Sequence, residues 1–270
     1  MSFVLTEHLA RRIEQSEIDA LESRLKAVKE IDGNPMDVEI QRFGSATAFS
    51  VKNIPGPSFN TVKGISEDDT EHIDSILDFY SNRQIPARFE ITPAQSSTKL
   101  LKFLSDKGYF QCGFHTALCG ALSNKLILNS TDASVSIREL EQNEFDIFGD
   151  IYTKGFNMPS FLNEHIAQNN KVLHNNKHWT FYIASVKGVP AGVGVLFEYD
   201  GIGTLAASAT IPALRNIGVH NSLLLKRLQQ ANQHNCHLIV GQAAYGSVSQ
   251  KNMERVGMKI AYTKAIWTQV

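Results

Sequence analysis

The stretch that decides the fold is GTLAASATIPALRNIGVHNSLLLKRLQQA, residues 203–231. Its first part alternates side chains at period two and predicts a strand rich in small residues. One face of that strand carries Leu205, Ala207, Ala209 and Ile211. Its last part predicts an amphipathic helix, because apolar residues recur at helical spacing. The apolar stripe of that helix contains Val219, Leu223, Leu224, Leu228 and Ala231.

The turn between this strand and this helix is the first candidate for a binding site. The backbone N–H groups of a first helical turn have no partner within the helix, and the helix dipole makes that end positive. Arg215 adds a positive side chain, and Gly218 opens the helix without a side chain of its own. The junction is therefore predicted to bind an anion, and its size suits a pyrophosphate.

The flanking segments continue the same pattern of strands and turns. Residues 179–186 and 189–199 alternate as two strands joined at Lys187-Gly188, and Asp200-Gly201 has the composition of a type I′ hairpin turn. After the helix we expect a strand at 238–241, a helix at 247–256 and a closing strand at 259–267. Ser247-x-x-Gln250 is typical of a capping box, and Gly257 of a helix end. Upstream we expect a strand at 135–139 and helices near 143–152 and 161–168.

This order of elements and this loop resemble the GCN5-related N-acetyltransferases (GNAT), in which a strand ending near Thr-x-Pro leads into (Arg/Gln)-x-x-Gly-x-(Gly/Ala) and a helix. Here Thr210, Pro212, Arg215 and Gly218 match, while His220 replaces the last small residue. The resemblance implies acetyl-CoA as co-substrate, with its pyrophosphate on the loop. The residues it assigns to CoA are Ala209, Thr210, Ile211, Arg215, Asn216, Ile217, Gly218, Val219, His220, Asn221, Ser249 and Asn252. From its place in a first helical turn, we expect the His220 ring to face solvent.

Residues 38–120 can be compared with the same template. We expect strands at 38–43, 46–51, 59–65 and 87–91, a helix at 68–82, a helix capped by Thr92-Pro93 and ending at Lys107-Gly108, and a closing strand at 109–118. Residues 5–29 predict one or two amphipathic helices ahead of this half. The chain thus resembles tandem GNAT proteins with a degenerate first half: domain 1–130, domain 131–270, and a boundary near 129–133. The fold class is α+β in three layers, each half a mixed, mostly antiparallel sheet flanked by helices.

The two halves differ at the junction between strand and helix. The first half has Ser66-Glu67-Asp68-Asp69-Thr70-Glu71 where the second has Arg215-Asn216-Ile217-Gly218. Acidic side chains at a helix N-terminus stabilise the helix and repel a phosphate. We therefore expect only the second half to bind CoA.

Composition excludes several classes of partner. The 270 residues are 43% hydrophobic and carry a formal net charge of −1, which gives no electrostatic reason to expect nucleic acid or an anionic membrane. The start of the chain lacks the pattern of a signal peptide, so we expect a cytoplasmic protein. The cluster of His234, Cys236 and His237 lies at the end of a helix, where His is common, and we expect no metal site. A homodimer is left open.

The acid–base residues are the least determined part of the site. A Tyr on the last helix is the usual proton donor to the CoA thiolate in this family, and Met253 stands at that position here. Tyr245 is a weak candidate for a catalytic acid, and Glu198 a weak candidate for a base. The function implied is transfer of acetyl from acetyl-CoA to a primary amine, in a small molecule or a peptide. One alternative is a CoA-binding regulator without catalysis. The other is a Fem-type aminoacyltransferase, but the near-zero net charge and the intact Arg215-x-x-Gly218 loop argue against that second alternative.

Overall fold

A computed structural model describes residues 4–54, 56–122 and 134–269. These residues divide into two compact units. Unit 1 contains residues 4–117, 243–245 and 260–269, and unit 2 contains 118–122, 134–242 and 246–259. The expected boundary at 129–133 lies outside the described residues. The sequence assigned residues 260–269 to the second domain, whereas by their contacts they belong to unit 1.

The elements follow one another as helices and strands of ordinary length. In chain order they are α1 (Glu7–Lys29), β1 (Val38–Phe43), β2 (Ala46–Val51), β3 (Thr61–Lys63), α2 (Ile73–Asn82), β4 (Phe89–Ile91), α3 (Thr98–Asp106), β5 (Tyr109–Ala121), β6 (Val135–Glu139), α4 (Phe145–Phe156), α5 (Asn163–Lys171), β7 (Trp179–Val186), β8 (Val189–Tyr199), β9 (Ile202–Thr210), α6 (Val219–Gln233), β10 (Leu238–Ala243), α7 (Val248–Arg255) and β11 (Lys259–Gln269). Short 3-10 turns precede α2, α4, α5 and α6.

The sheet of unit 1 has the strand order β1-β2-β3-β4-β11-β5. The pairs β1–β2, β2–β3 and β4–β11 are antiparallel, whereas β3 and β4 are parallel and are connected through α2. The core of this unit contains Tyr80, Phe89, Leu100 and Tyr109, and the rings of Phe89 and Tyr109 meet edge to face. The Tyr80 hydroxyl donates to the carbonyl of Phe49 at 2.7 Å, so its one polar atom is satisfied in the apolar surroundings.

The start of α3 differs from the prediction. The sequence placed the helix cap at Thr92-Pro93, but the helix begins at Thr98, where the Ser97 hydroxyl accepts a hydrogen bond from the N–H of Leu100 at 3.2 Å. The Thr92 hydroxyl instead donates to the carboxylate of Glu14 on α1, at 2.8 Å. A tertiary contact to a residue far away in the sequence has taken the side chain that local reasoning assigned to the cap.

A buried group of charged side chains holds β11 in unit 1. Lys264 on β11 contacts Glu17 on α1 at 2.5 Å and Glu90 on β4 at 2.6 Å. Lys63 on β3 contacts the same two carboxylates, at 3.4 and 2.5 Å. Burial disfavours the charged form of Glu90, but the two ammonium groups and Arg88 outweigh it and hold its pKa well below the usual range. Four elements therefore meet at compensating charges, and removing one partner would leave another buried and unpaired.

Unit 2 contains the sheet β10-β9-β8-β7-β6. The hairpin turns after β7 and β8 have positive φ at both central residues, Lys187-Gly188 and Asp200-Gly201. Type I′ turns require this, and the sequence predicted that type for Asp200-Gly201. Helices α4 and α6 pack on opposite faces of this sheet. A side chain at Gly192 or Gly203 would meet α6 within 3 Å, so these glycines let the helix lie close to the strands.

One feature of β9 was not predicted. The sequence suggested unbroken alternation over residues 204–211, but Leu205 pairs with Leu196 and Ala207 with Val195, so Ala206 is an extra residue without a partner on β8. This β-bulge puts Leu205 and Ala207 on opposite faces of the sheet, where strict alternation would put them on the same face. Alternation in sequence cannot reveal an inserted residue when its neighbours are all small.

The two halves nevertheless follow the same plan. Strands β1, β2 and β3 form antiparallel neighbours, and a helix then leads to the parallel strand β4. Strands β7, β8 and β9 do the same, and α6 leads to the parallel strand β10. Mixed, mostly antiparallel sheets flanked by helices confirm the predicted α+β class. Among the described residues, no helix is both long and apolar enough to cross a membrane.

Candidate functional site

The candidate site is built on the junction between β9 and α6. A 3-10 turn at Pro212–Leu214 is followed by two residues with positive φ, Asn216 at 65° and Gly218 at 84°. Gly218 is the N-cap of α6, and no side chain caps the helix in this described region. The first intrahelical bond recorded here is from the N–H of Ser222 to the carbonyl of Gly218, at 2.9 Å. The preceding N–H groups at this end are the donors that an anion needs.

Arg215 lies at the mouth of this junction, and its side chain is exposed. One of its guanidinium nitrogens, Nη2, donates to the carbonyl of Gly155 at 2.6 Å. Gly155 belongs to the last turn of α4 and lies so near the end of β9 that a Cβ there would be 2.9 Å from that of Ala209. Arg215 therefore has a structural partner, at the negative end of a helix dipole. Its predicted role toward a pyrophosphate stays a prediction.

The C-terminal part of β9, after Leu205, has an open edge. The parallel pairing of β9 with β10 extends as far as Leu205 and Gly241. Ala206 beyond it is exposed, and Ala207 and Ser208 are half-buried. The N–H of Ile211 donates to Ala191 on β8, at 2.9 Å. Because direction alternates along a strand, Ala207 and Ala209 also point their backbone groups toward β8, and Ser208 and Thr210 point theirs toward the open edge.

The His220 ring does not face solvent, contrary to expectation. It is half-buried, and its Nδ1 lies 2.9 Å from the side-chain nitrogen of Asn252 on α7. The other amide atom of Asn252, Oδ1, accepts from Arg255 at 2.6 Å. That bond fixes the amide so that its nitrogen donates to Nδ1, which leaves the imidazole proton on Nε2. Burial, together with the charge of Arg227, lowers the pKa of His220 to about 4.

The two predicted acid–base candidates, Glu198 and Tyr245, lie in different surroundings. The carboxylate of Glu198 is already engaged, at 3.0 Å from Nδ1 of His234 and 3.7 Å from the Cys236 sulfur. Glu198 also pairs with Gly203, at the far end of β9 from Arg215. The structure therefore gives no support to Glu198 as a base. The Tyr245 ring is 71% exposed and belongs by its contacts to unit 1.

The last helix presents the side chains that the resemblance assigned to it. Ser249 and Asn252 are half-buried on α7, and their contact with CoA stays a prediction. Met253 is buried, with its sulfur 3.0 Å from where a Cβ at Gly241 would stand. A thioether has no proton to donate, and here it packs against the sheet.

Sequence reasoning missed Arg227, a fully buried arginine on α6. Its Nε donates to the carbonyl of Leu223 at 2.9 Å, and its Nη1 to the carbonyls of Ala207 and Val195, at 2.9 and 3.3 Å. The signal was present in the sequence, because Arg227 falls four residues after Leu223 and four before Ala231, within the apolar stripe. A charged residue on that stripe indicates a buried polar contact.

No family model matches the sequence, and no curated protein matches it either. Among solved structures, a GCN5-related N-acetyltransferase from Kribbella flavida is 11% identical, with a TM-score of 0.69 over 97% of this chain and 95% of that one. A tandem GNAT protein from the clavulanic acid biosynthesis pathway is 11% identical, with a TM-score of 0.57 over 72% of this chain and 67% of that one.

A third similar structure comes from a differently named protein. It is the C-terminal domain of a putative lysylphosphatidylglycerol synthetase from Agrobacterium fabrum, 12% identical, with a TM-score of 0.54 over 98% of this chain and 93% of that one. At such identities, likeness in structure shows a shared fold. The Agrobacterium fabrum protein is named as a synthetase and the Kribbella flavida protein as an acetyltransferase, so the fold alone does not determine a reaction.

Proposed function

Because this chain has the fold of the GCN5-related N-acetyltransferases, we propose that it transfers an acetyl group from acetyl-CoA to a primary amine. The observation that carries the proposal is the β9–α6 junction. There a helix N-terminus without a capping side chain opens beside a strand edge whose backbone groups are directed away from β8. An anion and an extended chain are the two things such a surface can bind together. CoA offers both, as a pyrophosphate and a pantetheine arm.

The residues present fit this ligand. Two buried polar atoms at the junction, Thr210 Oγ1 and Asn221 Oδ1, have no hydrogen-bond partner among the described residues. We assign the pyrophosphate to the N–H groups from Asn216 to Asn221, and Arg215 can exchange the Gly155 carbonyl for a phosphate oxygen. The open backbone groups of Ser208 and Thr210 suit the amides of the pantetheine arm, in the manner of an added strand.

The chemistry requires little of the protein beyond position and polarity. The neutral amine attacks the thioester carbon, the C–S bond breaks, and the CoA thiolate leaves with the electron pair while the amine proton passes to water. A backbone N–H on β9 stabilises the oxyanion that forms in between. Thiolate is a good leaving group, so the buried Met253 does not prevent turnover. Tyr245 stays a candidate acid, and the acceptor is a small-molecule or peptide amine.

The direct test is a screen of amines with acetyl-CoA and detection of the released thiol. Turnover of at least one amine by the wild-type chain, lost in Arg215→Glu, supports the proposal. Tight CoA binding without transfer to any amine in a broad panel would instead support a CoA-binding regulator, the reading that the buried Met253 favours. If the chain neither binds acetyl-CoA nor transfers its acetyl group, the proposal that it uses CoA is wrong. The cytoplasmic location of the protein stays a prediction.

A further inference from the structure

Arg227 poses an energetic problem that the fold alone does not explain. It is 1% exposed, and burial lowers its pKa to about 10, which leaves the guanidinium charged at neutral pH. Within residues 4–54, 56–122 and 134–269, no carboxylate forms an ion pair with it, and its Nη2 has no hydrogen-bond partner. Burying an uncompensated charge is costly, so a residue of this kind needs a reason to be retained.

The surrounding chain is shaped to accept the guanidinium. A Cβ on Gly194 of β8 would be 3.1 Å from Nε and 3.2 Å from the central carbon of Arg227. Glycine at this position therefore lets the planar group lie flat against the sheet, behind the bulge in β9. Leu223 and Ala231 hold the helix in place on either side, since both contact glycines of the same sheet. These neighbours fix the place of the Arg227 guanidinium, which is therefore not a chance orientation of a long side chain.

The bond from Arg227 to Ala207 connects the buried charge to the open edge. The carbonyl of Ala207 and the N–H of Ser208 belong to one peptide group and point in opposite directions. Nη1 of Arg227 contacts the carbonyl end at 2.9 Å, on the side of β8. The Ser208 N–H emerges on the other side, where β10 no longer pairs with β9. A cation on the oxygen draws electron density through the amide and makes its N–H a stronger donor.

We propose that Arg227 is a positioning residue that polarises the 207–208 peptide, so that the Ser208 N–H binds the thioester oxygen of acetyl-CoA and stabilises the oxyanion. This inference rests on the proposed function. It names one donor on β9 and assigns its strength to a side chain on the opposite side of the strand. The charge is fixed in place before substrate arrives, so no reorganisation is needed when negative charge develops.

The test is infrared difference spectroscopy of acetyl-CoA labelled with ¹³C at the thioester carbonyl, bound to the wild type, Arg227→Met and Arg227→Gln. We expect the carbonyl band of the wild-type complex to lie below its frequency in solution, and to return toward that frequency in both variants. With an amine found in the screen, kcat should fall about tenfold, with KM for acetyl-CoA changed by less than about twofold. Loss of a direct oxyanion donor costs roughly 10²–10³ in kcat, and this effect acts through one peptide group.

Lys226→Met is the matched control, because it removes one positive charge from the same turn of α6. Lys226→Met should leave the thioester carbonyl band and kcat at their wild-type values. A wild-type band in a folded Arg227 variant would overturn the inference, even if that variant were less stable. If both variants fail to fold, the wild type still decides, by NMR with ¹⁵N-serine labelling and Ser208→Ala for assignment. A Ser208 amide proton strongly downfield supports polarisation, and one at ordinary shift refutes it.

These readouts also separate this inference from the proposed function. A wild-type chain that does not bind acetyl-CoA contradicts the function. The Ser208 amide shift, which needs no ligand, still tests whether Arg227 polarises the peptide.

Discussion

The two halves of the molecule differ in what accepts hydrogen bonds at the junction between strand and helix. Each has a strand that leads through a 3-10 turn into a helix and then into a parallel strand. In the first half the junction is closed by the protein itself. The Asp69 carboxylate accepts hydrogen bonds from the N–H groups of Ser45 and Ser66, both at 2.8 Å, and from both their hydroxyls. In the second half the corresponding junction begins with Gly218 and has no such side chain.

The difference teaches how a fold acquires or loses an anion site. Burial opposes the charged form of Asp69, but the hydrogen bonds from Ser45 and Ser66 outweigh it and keep its pKa below the usual range. The protein thus supplies its own anion at this junction. Gly44 contributes, because a Cβ there would collide with Asp69. A binding site is then a junction whose donors have been left without an internal partner.

The largest effect is expected where the internal partner is removed. Asp69→Ala leaves the N–H groups of the exposed Ser45 and the half-buried Ser66 without their charged acceptor, and a hydrogen bond to a charged group contributes about 1.5–3 kcal/mol. We expect the free energy of unfolding to fall by about 3 kcal/mol, measured by urea denaturation. Asp68→Ala, an exposed neighbour, should change it by less than about 0.5 kcal/mol. Equal effects for the two variants would mean that Asp69 does not close the junction.

The next effect concerns affinity at the open junction. Arg215→Glu places a negative charge beside the pyrophosphate and should weaken acetyl-CoA binding by about 1–3 kcal/mol, measured by calorimetric titration. The double variant Glu67→Lys/Asp68→Lys, which reverses exposed charges at the closed junction, should leave affinity nearly unchanged.

Arg215 also bonds to Gly155, so the urea midpoint of Arg215→Glu must be measured beside its affinity. A loss of affinity with an unchanged midpoint assigns the effect to the ligand. Unchanged affinity would remove the loop from the CoA site.

A smaller effect should appear on titration of His220. Its pKa in the folded chain is about 4, below that of an unfolded histidine near 6.5. The unfolded state therefore binds the proton first, so stability from neutral His220 is complete above about pH 6.5 and is lost as pH falls toward 4. The measurement is the unfolding free energy of the wild type and of His220→Gln between pH 4 and 7.5. The wild type should lose more on acidification, and parallel curves would contradict the low pKa.

The smallest effect on function is expected at Met253. Met253→Tyr restores the usual proton donor in a position that is 4% exposed and packed against Gly241. Overpacking should lower stability by about 1–3 kcal/mol. Turnover per folded molecule should stay the same or rise modestly. General acids contribute about 10²–10⁴-fold where they act, so a rise of that size would show that thiolate protonation limits the native reaction. Tyr245→Phe is the companion variant, and a comparable fall in kcat would make Tyr245 the acid.

Much of the fold could be predicted because its signals are local. The type I′ turn at Asp200-Gly201, the cap at Ser247 and the helix end at Gly257 all depend on residues within a few positions, and the structure has each of them. The leading segment is one helix, Glu7–Lys29, capped by Thr6. The acids in the first turn after β3 were also visible in the sequence, although their division into one buried carboxylate and two exposed ones was not.

What could not be predicted depends on contacts between distant residues. Thr92 was assigned to a helix cap because nothing near it reveals Glu14, its partner 78 residues away. His220 was expected in solvent because Asn252, which holds its ring, lies on another helix. The bulge at Ala206 leaves no trace in a run of small residues. The position of Arg227 within the apolar stripe indicates burial, but its carbonyl partners on β8 and β9 lie far away in the sequence.

The place of β11 has a consequence for how the chain is made. Unit 1 needs this strand between β4 and β5, and Lys264 is a counter-ion for Glu17 and Glu90. A ribosome finishes β5 long before it reaches β11, and at about 5–20 residues per second the interval is on the order of 10–30 s. During that time the nascent first half has a gap in its sheet, and Glu17 and Glu90 have Lys63 but not yet Lys264 as an ammonium partner. The half that is synthesised first is therefore completed last.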